Sequence, residues 1–112
     1  MLSFQRLDVY QRAVEFLALT AQVTADIPRG NAPLLDQLRR AATSISLNIA
    51  EASGRTGAAD AARAFAIARG SAMECAAVLD ALFVLKIVEE DVHREGTELL
   101  GRVVSMLTKL CR

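Results

Sequence analysis

The chain has no tryptophan, one tyrosine and four phenylalanines. Aromatics at 4% are too few for a sandwich or barrel, folds that lean on aromatic and β-branched residues. Two prolines and six glycines leave few breaks. There is no low-complexity or collagen-like stretch and no long basic tail. No run of about 18 uncharged apolar residues occurs, so no membrane span is expected. Met1 to Tyr10 mixes Gln5, Arg6 and Asp8 into its apolar residues and does not read as a secretory signal. Cys75 and Cys111 stand far apart, with no histidine beside either. They read as small core residues in a reducing cytoplasm, and neither metal nor cofactor is expected. The single histidine, His93, sits between Asp91 and Glu95 and reads as solvated. Neither sign of charge prevails, with 13 basic and 13 acidic residues. That is a weak footprint for a nucleic-acid binder.

What is present is alanine and leucine, 20 and 15 of 112 residues. With 53% apolar and 23% charged residues, this is the composition of packed helices. The length suits one domain, residues 1–112. Apolar residues recur at threes and fours in four segments, at about 7–26, 33–53, 57–86 and 90–111. The expected core stripes are Leu7, Tyr10, Val14, Leu17 and Ala21 in the first and Leu35, Leu38, Ala42, Ile45 and Ile49 in the second. In the third they are Ala61, Phe65, Ala68, Ala72, Cys75, Leu79 and Leu82, and in the fourth Val92, Gly96, Leu99, Val103, Met106 and Leu110. Pro33 suits a first helical turn. Gly54 reads as a left-handed cap and Thr56 or Gly57 as the next N-cap. Short links predict an all-α fold, an antiparallel up-and-down four-helix bundle.

Two helices carry more apolar surface than such a bundle covers. In the first, Leu2, Val9, Phe16 and Val23 recur every seven residues, the spacing of a coiled-coil seam. The third has Ile67, Gly70, Ala81 and Leu85 opposite its core stripe. The surplus predicts a homo-oligomer whose interface uses Val9, Phe16, Val23, Leu47, Ile67 and Leu85. Asp36 to Arg40 and Glu51 to Arg55 have helical i,i+4 spacing. Glu51 and Glu74 lie among apolar or small neighbours and read as structural partners of Arg39, Arg55, Arg63 or Arg69. Two carboxylates could do acid–base work, but no Glu-x-x-His pattern, nucleophile elbow or P-loop accompanies them. No enzyme is expected. From Arg29 to Arg69 six arginines face three acids. Arg39, Arg40, Arg55, Arg63 and Arg69 are therefore the candidate nucleic-acid surface.

The stretch Gln37 to Arg55, QLRRAATSISLNIAEASGR, carries a family likeness. With Leu7 to Phe16 before it and Ala68 to Leu82 after it, the chain resembles the bacterial four-helix-bundle proteins encoded in intervening sequences of large-subunit ribosomal RNA genes. That group is related to the accessory variability protein of diversity-generating retroelements. The matching residues are Arg39-Arg40-Ala41, Ser44-Ile45, Asn48-Ile49-Ala50-Glu51, Gly54-Arg55, Gly70-Ser71 and Glu74. Ala52 stands where the family often has glycine. The resemblance implies a ring-like homo-oligomer, a homopentamer. In the retroelement branch it implies binding of nucleic acid and a reverse transcriptase. The expected function is a non-enzymatic scaffold that binds structured RNA, or an RNA–protein complex, through its arginines. The alternative is a protein-interaction ring that never touches nucleic acid.

Overall fold

The computed structural model describes the backbone of all 112 residues and every side chain except that of Arg29. A 3₁₀ turn, Ser3–Arg6, leads into α1, Asp8–Ala25. A second 3₁₀ turn, Arg29–Asn31, leads into α2, Ala32–Gly54. Then come α3, Ala58–Val84, and α4, Glu90–Leu110. No strand occurs among the described residues. Each helix packs against its chain neighbours and α1 closes against α4, the up-and-down arrangement that short links favour. The molecule measures 43 × 25 × 22 Å. Four antiparallel helices return the chain to its starting end. Both termini and the α2–α3 link lie at one end, and the α1–α2 and α3–α4 links at the other.

Local chemistry accounts for the boundaries. Pro33 sits in the first turn of α2, where its missing N–H costs nothing. Gly57 is the N-cap of α3. Glu90 and Asp91 begin α4 and Lys109 ends it, both signs favourable to the helix dipole. Gly54 does not take the expected left-handed role. It remains inside α2, Arg55 leaves the helix extended, and no glycine has a positive φ. The left-handed residue is Lys86, at φ 61°. Ile87 N–H donates to Leu82 O (2.8 Å) and Lys86 N–H to Phe83 O (3.0 Å). This is a Schellman ending with lysine where glycine is usual.

One core cluster runs through the bundle. It is built from Val9, Ala13 and Phe16 of α1, Leu38, Ile45 and Ile49 of α2, Ala72, Cys75 and Leu82 of α3, and Leu100, Val103 and Leu107 of α4. The stripes expected on α2, α3 and most of α4 face this core, though Phe65 and Met106 are only half-buried and Leu110, in the last turn of α4, is exposed. On α1 the two stripes exchange roles. Val9 and Phe16 are 3% and 1% exposed inside their own subunit, and Val23 is half-buried against the same core. Val9 and Phe16 are therefore not free to form a subunit seam. The bundle is itself packed like a coiled coil, so its own interior uses the seven-residue row. The row expected inside lies at the edge: Leu7 and Val14 are exposed, while Tyr10 and Leu17 are half-buried. Tyr10 is covered by Phe4, edge-on at 5.0 Å, from the first 3₁₀ turn.

Candidate interaction site on α2 and α3

Residues three and four apart share a helix face. On α2 that spacing aligns Arg40, Ser44, Leu47, Glu51 and Arg55, with Asn48 beside them; on α3 it aligns Arg63, Ile67, Gly70 and Glu74, with Ser71 beside them. The antiparallel packing of α2 on α3 brings the two rows together. Ser44 Oγ lies 2.8 Å from Ser71 Oγ. Asn48 Nδ2 donates to Ser44 O (2.8 Å) and Ser44 Oγ (3.0 Å). The two hydroxyls and the Asn48 amide nitrogen of this half-buried polar floor thus find partners within the subunit. Above it, Leu47 and Ile67 are 62% and 50% exposed. Two shallow depressions flank Asn48. One, of about 540 Å³, includes Arg40, Leu47 and Glu51; the other, of about 280 Å³, includes Arg55, Arg63 and Ile67. A Cβ built on Gly70 would meet nothing within 4 Å.

The five candidate arginines do not form one surface. Arg40 and Arg63 lie on this face, with no carboxylate within 4.0 Å among the described residues. Arg55 lies there too, paired with Glu51. Both groups are about half exposed, so the pair contributes only about 0.3–0.5 kcal/mol. Arg39 sits at the edge, 3.8 Å from Asp36, which was expected to pair with Arg40. Arg69 faces α4 instead, where its Nε donates to Thr108 Oγ1 (2.9 Å). Glu74 takes no arginine; Gln37 Nε2 donates to its Oε2 at 3.4 Å. Glu51 and Glu74 are both exposed, so neither is a buried acid. Of the three apolar candidates on α2 and α3, Leu47 and Ile67 lie on this face. Leu85, 59% exposed, lies at the far end of α3.

In the sequence, Ser44, Asn48 and Ser71 stand out only as part of the family likeness and are not joined into a polar floor. Ser44 and Asn48 one turn apart, with Ser71 amid an apolar helix, was the available signal. His93 is also not the solvated residue expected. Its Nε2 lies 2.8 Å from Asp80 Oδ1 and its ring stacks on Phe83 at 4.5 Å, because this turn of α4 faces α3. Among the described residues, no three His, Cys, Asp or Glu side chains gather to hold a metal ion. No helix is long and apolar enough to cross a membrane.

The chain matches the family model for 23S rRNA-intervening sequence proteins over residues 5–109. It belongs to that family. A crystal structure from Bacteroides thetaiotaomicron, of a protein with unknown function from the S23 ribosomal protein family, superposes with a TM-score of 0.85. The two share 20% identity over 93% of this chain and 98% of that one. At that identity the likeness speaks for the fold. No curated protein matches the chain. Of the residues that carried the likeness in the sequence, Arg40, Ser44, Asn48, Glu51, Gly70 and Ser71 lie on the α2–α3 face, while Ala41, Ile45 and Ile49 are buried in the core.

Proposed function

We propose that this chain is a non-enzymatic scaffold that associates with further copies of itself through the α2–α3 face. The supporting observation is the exposure of Leu47 and Ile67 beside a polar floor whose serine hydroxyls and asparagine nitrogen bond to one another. Covering what remains exposed of each side chain would contribute about 1–2 kcal/mol. Arg40 and Arg63 border the apolar surface and would select the docking partner by charge. The resemblance carries the further expectation of a closed ring of five. Such a ring would repeat Arg40 and Arg63 around it, and the family's link to ribosomal RNA supports structured RNA as the ligand. Avidity would then compensate for a small patch per copy.

A protein-docking ring without nucleic acid is the second reading. It is favoured by the zero formal net charge and by the engagement of Arg39, Arg55 and Arg69 within the subunit. Sedimentation of the wild type beside Leu47→Glu and Ile67→Glu tests the association. The wild type should sediment as an oligomer, and the variants as 12.1 kDa monomers with unchanged helical circular dichroism. A monomeric wild type would overturn the reading.

A further inference from the structure

A groove of about 430 Å³ opens at the end of the bundle opposite the chain termini, between the end of α1 and the link from α3 to α4. Its floor is apolar. Leu19, Val23, Ile27 and Ile87 are half-buried, packed on the core on one side and lining the groove on the other. Its rim is acidic. Asp26, Glu89, Asp91 and Glu95 line it, and among the described side chains neither lysine nor arginine does. Among the described side chains, the ion-paired carboxylates are Asp8, Glu15, Asp36, Glu51 and Asp80. None belongs to the rim.

We propose that this groove seats a basic amphipathic segment of a partner protein. Aliphatic side chains of the segment would cover the floor while its lysines or arginines meet the rim. The charge pattern selects this occupant. Four like charges around one opening repel each other and any phosphate backbone, so RNA is disfavoured here, while a cationic chain relieves the repulsion. The floor supplies what charge alone does not, an apolar contact that distinguishes an amphipathic segment from a simple polycation. The volume lies within the range of about 300–1,000 Å³ usual for binding clefts. The groove shares no residue with the α2–α3 face, so this inference does not depend on self-association.

Methyl-resolved NMR of the intact chain, titrated with a pool of octapeptides built from Leu, Val, Lys and Arg, tests it. Shifts should concentrate on the methyls of Leu19, Val23, Ile27 and Ile87 and weaken as salt is raised. A pool with Asp and Glu replacing the basic residues should bind at least about ten-fold more weakly, as should one with Gly and Ser replacing the aliphatic residues. Neutralising the rim with Asp26→Asn and Glu95→Gln should cost a similar factor, with the spectrum otherwise retained. No shifts at these methyls, equal binding of any pool, or indifference to neutralising the rim would each overturn the proposal. So would shifts that follow protein concentration without peptide, which would assign the groove to a second copy.

Discussion

Cys75 has no exposed surface, and its burial, with the nearby Glu74 charge adding a smaller effect, pushes the thiol from 9.0 up to about 12. Above pH 9 the unfolded chain releases this proton while the folded chain keeps it. Stability is therefore lost as pH rises from about 9 towards 12. Urea midpoints for the wild type and Cys75→Ala, measured across that interval, should converge as pH increases. Parallel curves would mean the thiol ionises equally in both states. Lys86 offers a second measurement at this scale. A left-handed conformation costs an L-residue roughly 1–2 kcal/mol and glycine much less, although glycine gives more freedom to the unfolded chain. Lys86→Gly should raise stability by about 0.5–1 kcal/mol, read as an upward shift in thermal midpoint.

At the scale of the helix, glycine has opposite meanings within α4. A Cβ on Gly96 would lie 2.6 Å from Leu79 Cδ1 and 3.4 Å from Phe16 Cε1. Here α4 packs closely on core residues of α1 and α3. Leu79 is itself 2% exposed and has little room to yield. Gly96→Ala should destabilise the protein by about 1–3 kcal/mol despite alanine's better helix propensity. Gly101, one and a half turns later, has nothing within 4 Å of its would-be Cβ, and Gly101→Ala should stabilise by about 0.5–1 kcal/mol. Denaturant unfolding of the two variants should therefore move the midpoint in opposite directions. The pattern of helices was legible because periodicity is local, and Leu35 to Ile49 leaves one choice of inner face. On α1, two apolar rows stood only a fraction of a turn apart, and periodicity could not choose between them. Phe16 was misplaced because the choice belongs to three other helices. The α2–α3 face was partly legible: Leu47 and Ile67 showed as surplus apolar residues. Its hydrogen bonds were not, since Ser44 and Ser71 meet only when two helices pack 27 residues apart in sequence.

For the whole molecule, the absence of net charge sets the expectation for nucleic acid. Any RNA binding should come from a repeated small patch and fall steeply with salt. Arg40→Glu combined with Arg63→Glu should abolish it and leave the helical circular dichroism unchanged. If a structured RNA binds equally well before and after these changes, the arginine surface lies elsewhere. Gly70 links this scale to the one below. In the isolated subunit alanine there meets open space. If another copy covers the face, Gly70→Ala should raise subunit stability while weakening the assembly, as seen in the concentration dependence of its mass.

The return of the chain to its starting end has a mechanical consequence. A force applied through the two termini acts on α1 and α4, neighbours that start and finish at that same end. Such a load peels them apart row by row, like opening a zip, and never shears the whole contact at once. The bundle should yield at a low force when pulled through its termini. It should resist far more strongly when gripped at one terminus and at the far α3–α4 link.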